Sequence, residues 1–200
     1  EEEIIEKTIL HDNIKEIGKS AFEGCINLSE VVMKNDRVTV KTDAFKNTKI
    51  LTEEATYTNK SLIKVNKNIS GVFEVKEGTT TIADNAFCDC KKITKVILPK
   101  ELKVIGECCF MNCESLKEVV FPKEMKSIKM AAFRGCISLS SIILPNGIEE
   151  MPRFLFEDCE NLEEVYIPDS VKNIRFDTFK NCKIYRKYKD SLEDELYIGK

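Results

Sequence analysis

Phe87, Phe110, Phe133, Phe156 and Phe179 stand 23 residues apart, four intervals without a slip. A cysteine follows each by three residues: Cys90, Cys113, Cys136, Cys159 and Cys182. Upstream, Phe22 and Phe45 keep the same interval, with Cys25 in phase after the first and Thr48 after the second. A repeat of this length is one structural unit that cannot bury its own apolar face and must stack on copies of itself. The expectation is therefore a single elongated solenoid over residues 1–200.

Hydrophobic residues make up 42% of the chain, enough for a continuous core. The 31 basic and 34 acidic residues are interleaved, with a net charge of −3, so no electrostatic case exists for nucleic acid or an anionic membrane. No apolar run approaches the ~18 residues of a membrane span. Glu1-Glu2-Glu3 is not a signal peptide. The opening residues already belong to a repeat, as expected of a mature or trimmed fragment, from which any targeting signal would have been lost upstream.

Aligned on its Phe, each unit begins with a short alternating segment that ends in Pro. Examples are Ile93-Thr-Lys-Val96-Ile-Leu98-Pro99 and Leu139-Ser-Ser-Ile142-Ile-Leu144-Pro145. The β-branched alternation predicts a strand, and Pro ends its pairing because it has no N–H. An apolar pair follows, such as Leu102 and Ile105 or Ile148 and Met151, and then the Ala-Phe-x-x-Cys segment, expected as one turn of helix or 3-10 helix. Stacked coils would lie with their strands parallel, ~4.8 Å apart. Phe87, Phe110, Phe133, Phe156 and Phe179, with the cysteines that follow them, would form a structural ladder in the core.

Residues 1–50 hold irregular N-terminal repeats, and 86–182 hold the regular ones. From Phe45 to Phe87 the interval is 42, which adds 19 residues to one period. Within 51–85, Ser61–Val65 and Gly71–Val75 flank the polar Asn66-Lys67-Asn68, which predicts a hairpin inserted on the solenoid. Phe73 and Val75 fall at the strand positions of the unit ending in Phe87. Residues 183–200 are expected as a C-terminal cap or a linker, the cap being favoured because an open end would expose the core.

The unit Phe133-Arg-Gly-Cys136 … Leu139 … Ile142-Ile-Leu144-Pro145 … Ile148 … Met151 … Leu155-Phe156 resembles the BspA-type leucine-rich repeat family, over about Ile5 to Ile184. The resemblance implies an α/β repeat, a right-handed leucine-rich-repeat solenoid. Its parallel β-sheet would line the concave face, with short helical or 3-10 turns or irregular strands on the convex side. It further implies a cell-surface or secreted adhesin-like protein that binds other proteins, host extracellular ones among them, and it carries over no catalytic residue.

Six of the nine cysteines share one template position and are expected as small buried apolar side chains, although distance alone leaves disulfides between rungs open. Cys109 replaces the Ala of other units and reads as core. Cys88 and Cys108 align with Lys46, Arg134 and Glu157 or with Ser20, Asn85 and Asp177, so exposure is expected. They would be surface thiols, or a disulfide between adjacent coils. Without a neighbouring His or a Cys-x-x-Cys pair, no zinc site is expected. His11 is the only histidine and stands where later coils have Pro. No triad, nucleophile elbow or phosphate loop is present, so neither catalysis nor a cofactor is expected.

The outward strand positions carry the functional expectation. One column reads Ile9, Val32, Ile97, Val120, Ile143 and Tyr166, and beside it run Lys7, Glu30, Lys95, Glu118, Ser141 and Glu164. The plain reading is β-branched pairing across strands, worth ~0.2–1 kcal/mol per pair. The functional reading is an exposed apolar stripe for a protein partner, with Ile97, Val120, Ile143 and Tyr166 as contacts and Lys95, Glu118 and Glu164 as selectivity charges. Self-association through the same face and a spacer without a ligand are the alternatives.

Overall fold

The computed structural model describes the chain except residues 1–4, 34–37, 42, 50–53, 176 and 189–200. Its strands come in alternating pairs: β1 (Lys7–Leu10) and β2 (Glu16–Ile17), β3 (Glu30–Met33) and β4 (Thr39–Val40), β5 (Ala55–Thr58) and β6 (Ser61–Val65), β7 (Ser70–Glu74) and β8 (Thr81–Ile82). The series continues with β9 (Lys92–Ile97) and β10 (Val104–Ile105), β11 (Glu118–Val120) and β12 (Ser127–Ile128), β13 (Ser141–Ile143) and β14 (Glu150–Met151), and β15 (Glu164–Tyr166) and β16 (Asn173–Ile174). Odd strands pair with odd ones and even with even, all in parallel except β5 with β6. The result is a β-solenoid with two strand layers per coil. α-Helix is confined to α1 (Lys183–Tyr188) among the described residues.

The Phe ladder is present. Phe87, Phe110, Phe133, Phe156 and Phe179 are fully buried, with successive ring centroids 4.7, 5.1, 5.6 and 5.7 Å apart in stacked pairs. Phe22 and Phe45 stack separately at 5.3 Å. The N–H groups of Phe22, Phe87, Phe110, Phe133 and Phe156 donate to a carbonyl of the next coil, as Phe110 does to Ala132 at 2.7 Å and Phe133 to Leu155 at 3.0 Å. Stacked rings and rung-to-rung backbone bonds therefore share one column.

The segments around each Phe are turns rather than the expected helical turn. Two residues of each coil from Phe22 to Phe156 take a left-handed backbone, one two positions before the Phe and one two after it, and the Phe179 coil keeps only the second among the described residues. The first set is Ser20, Asp43, Asn85, Cys108, Ala131 and Phe154, with φ between 50° and 59°. The second is Gly24, Asn47, Asp89, Asn112, Gly135, Asp158 and Asn181, with φ between 59° and 81°. Left-handed residues interrupt any helix, and Gly, Asn and Asp accept them at least cost.

The expected hairpin is corrected. Ser61–Val65 does not pair with Gly71–Val75. It pairs antiparallel with β5 and parallel with β8, while β7 pairs with β9. The turn is Asn59-Lys60, with Asn59 at φ 49°, whereas Asn66 closes a local turn by accepting the Asn68 N–H at 3.0 Å. The added residues thus make an abbreviated coil, β5 and β6, rather than a decoration. Val65 takes the Phe place, since its N–H donates to Ala86 at 2.8 Å as that of Phe87 does to Cys109 at 2.9 Å. With no ring there, the core divides into a large cluster from Leu62 to Ile184 and a smaller one around Leu28, Val40, Phe45 and Ile63. At the far end α1 sets Ile184 into the large cluster, and the greater part of the expected cap or linker, residues 189–200, lies outside the described residues.

Candidate functional site

Strand register builds the exposed face. Lys95, Val96 and Ile97 of β9 stand against Glu118, Val119 and Val120 of β11, and Ser141, Ile142 and Ile143 of β13 against Glu164, Val165 and Tyr166 of β15. Alternation sends Val96, Val119 and Ile142 inward, where they are buried, and turns their neighbours outward. Ile143 is 73% exposed, Tyr166 62% and Val120 44%, while Ile97 is partly covered. The structure therefore brings these four together as two outward pairs, Ile97 with Val120 and Ile143 with Tyr166, on strands that adjoin at β11 and β13 but belong to separate sheets.

The flanking charges answer one another. Lys95 Nζ lies 2.8 Å from a carboxylate oxygen of Glu118, and Lys7 lies 2.9 Å from Glu30 in the same way. Glu164 faces Ser141 across the ladder. Ion pairs this exposed hold rungs in register more than they stabilise them, at ~0.2–1 kcal/mol each.

Beyond β7 the column changes character. A register shift between Gly71 and Val72 places Glu74 beside Ile97 and Val72 beside Lys95. Next to them opens a cleft of about 430 Å³ lined by Glu54, Ala55, Tyr57, Val72, Phe73, Glu74 and Lys76. The Tyr57 hydroxyl accepts the Lys76 N–H at 3.1 Å, at the position where regular coils carry Pro and have no N–H to satisfy. Burial pushes the Tyr57 hydroxyl pKa up, Glu54 adding to the shift. The cleft is a product of the abbreviated coil, and sequence reasoning missed it because the hairpin was set one strand too late.

The cysteines sort largely as expected. All nine are free thiols. Cys90, Cys113, Cys136, Cys159 and Cys182 are fully buried and Cys25 half-buried. Four of them do more than fill space. The thiols of Cys113, Cys136, Cys159 and Cys182 point at the Phe carbonyl of the preceding coil, at 3.1, 3.2, 3.0 and 2.9 Å, as weak S–H donors. Burial pushes the Cys109, Cys113 and Cys136 thiols far up, and those of Cys88 and Cys90 to about 11.

Cys88 itself is 8% exposed, against expectation, and Cys108 is half-buried. Glu157 and Asp177, aligned with them as surface residues, are buried too, at 4% and 2%. Neighbouring rungs stand over these positions. Glu157 is held by Arg134 Nε at 2.9 Å and Lys180 Nζ at 2.8 Å, and Asp177 by Arg153 Nε at 2.7 Å. Hydrogen bonds from Asn112 and Lys67 likewise hold the Asp89 carboxyl below its usual range. Among the described residues, no cluster of His, Cys, Asp and Glu is gathered to hold a metal. Nor is any helix among them long and apolar enough to cross a membrane.

Two strand layers per coil, a ladder of stacked Phe and a turn ending in Cys define a leucine-rich-repeat type of solenoid. A sequence profile described as "BspA type Leucine rich repeat region" matches residues 1–70 and 66–186 in six copies. The chain belongs to the BspA-type leucine-rich repeat family. A search of curated proteins found no match. Among solved structures, a leucine rich cell surface protein from Faecalibacterium prausnitzii A2-165 is similar, with 24% identity and a TM-score of 0.62 over 90% of this chain and 58% of that one. The Leucine Rich Repeat protein of T. pallidum shares 26% identity at a TM-score of 0.54, over 96% of this chain and 85% of that one. The pneumococcal vaccine antigen PcpA shares 18% at 0.53, over 90% and 57%. The chain thus spans little more than half the length of the first and third of these proteins.

Proposed function

We propose that this chain is a non-enzymatic protein-binding module of a cell-surface or secreted adhesin-like protein, built as one solenoid from 1 to 200. Its docking face is the outward side of the odd-numbered strands, which we assign as the concave side of a right-handed superhelix. Ile97, Val120, Ile143 and Tyr166 make the apolar contact, and Lys95, Glu118 and Glu164 select at its edge. The observation that carries this reading is an outward apolar row built from two register-matched pairs, Ile97 with Val120 and Ile143 with Tyr166, in which Val120, Ile143 and Tyr166 are 44–73% exposed, in a family of repeat proteins with surface-protein neighbours. Contiguous exposed apolar patches of this kind mark interaction sites.

The test is Val120→Asp combined with Ile143→Asp. Both side chains point outward, so the circular dichroism spectrum should match the parent and the unfolding midpoint should fall only by the loss of two cross-strand pairs, ~0.2–1 kcal/mol each. Capture of host extracellular proteins in a pull-down should fall at least about tenfold. Unchanged capture by the folded variant removes this face as the docking site. The Lys95–Glu118 pair favours a second reading, in which the face is self-satisfied and the repeats act as a spacer or associate with a second copy. That reading expects no capture by the parent chain, and its solution mass separates spacer from dimer.

A further inference from the structure

At two places on its strand face the chain sets a lysine against a glutamate of the neighbouring rung, Lys7–Glu30 and Lys95–Glu118. The cleft between β5 and β7 departs from this pattern. Glu54 and Glu74 both line it and both are exposed, and among the described residues neither is in an ion pair. Tyr57 and the 59%-exposed Val72 form its apolar wall, and Lys76 lines it as well. Glu74 also heads the column that continues through Ile97, Val120, Ile143 and Tyr166. The cleft and the apolar stripe are therefore one continuous surface, acidic at one end.

We propose that the cleft lodges a lysine or arginine side chain of an extended partner segment whose following apolar residues lie along the stripe. The inference rests on the docking face assigned above and names the chemistry of its occupant. Two carboxylates beside an aromatic ring are suited to a cation, which gains from both the charges and the ring face. The cleft's 430 Å³ holds one long side chain with room for water. From Glu74 to Tyr166 is four rungs, about 19 Å at strand spacing, the reach of an extended segment of about six residues. The charged residues that line the cleft are Glu54 and Glu74 against the single Lys76, while Glu118 is already matched by Lys95, so charge complementarity at the cleft favours a basic side chain over an acidic one.

The experiment is selection of a random hexapeptide display library on the intact chain, followed by binding of the recovered peptides to three variants. Lysine or arginine should be enriched at one end of peptides that are otherwise apolar. Glu54→Gln with Glu74→Gln should weaken them about tenfold or more and flatten their salt dependence. Tyr57→Phe, which keeps the ring, should leave them within about threefold. Val120→Asp with Ile143→Asp should abolish binding. Recovery of no peptide, of peptides without a basic excess, or of basic peptides indifferent to the glutamine pair overturns the inference. Basic peptides lost with the glutamine pair but unaffected by the aspartate pair leave the cleft standing and remove the stripe.

Discussion

At the residue scale, the left-handed positions show where this chain carries strain. Two residues after each Phe, the occupants are Gly, Asn or Asp in every unit, so that turn is unstrained. Two residues before it, Cys108, Ala131 and Phe154 hold the same backbone without that tolerance. Ala131→Gly should raise stability by about 0.5–1 kcal/mol, since little packing is lost with one methyl group and the left-handed penalty disappears. A higher urea midpoint with an unchanged slope would check it. The thiols set a second expectation. Cys88 and Cys90 stay protonated to about pH 11 in the folded chain, whereas an unfolded thiol ionises near 8.5. Their folded pKa values are raised, so the stability they contribute is complete below about pH 8.5 and lost as pH climbs towards 11. The slope is about 1.4 kcal/mol per pH unit for each such thiol. Unfolding midpoints measured from pH 7 to 11 should fall over that window, and Cys88→Ala should flatten the fall.

At the element scale, the abbreviated coil shows how a solenoid absorbs an irregular unit. β5 and β6 turn through Asn59-Lys60 instead of the Pro corner, and Tyr57 supplies the acceptor that Lys76 requires because it is not Pro. Tyr57→Phe should cost about 1 kcal/mol by leaving that N–H without its partner. Lys76→Pro removes the donor and puts in place the residue that regular coils use there, so Tyr57→Phe on that background should cost almost nothing. A double-mutant cycle in urea reads the coupling directly. Additive costs would show that the hydroxyl does not serve this role.

At the scale of the whole molecule, stability is distributed by nearest-neighbour contact between coils, and the missing ring at Val65 is the weakest junction. Salt bridges and backbone bonds still cross the region, Lys41 reaching Asp84 at 3.7 Å. Yet the apolar core on its N-terminal side is a separate, smaller cluster with Phe22 and Cys25 half-exposed. Amide exchange followed by mass spectrometry should therefore show peptides from 5–48 losing protection before those from 86–182. Uniform protection across Val65 would mean that the junction transmits cooperativity in full.

The period alone determined the architecture, because in a solenoid every contact repeats at a fixed spacing and a 23-residue phase names core and face together. Phe133, Cys136, Ile142 and Val120 were legible as ladder or surface from their places in the template. The turn geometry was half legible, since Gly24, Asn47, Asp89, Asn112, Gly135, Asp158 and Asn181 are written in plain view as residues that favour a left-handed backbone. What the tertiary structure decided lies where the template is broken or where neighbours cover a position that composition marks as polar. The pairing partner of Ser61–Val65, the burial of Cys88, Glu157 and Asp177, and the acidic cleft at Glu54 and Glu74 are of this kind. Each depends on which rung stands beside which, a non-local contact whose register no single coil encodes.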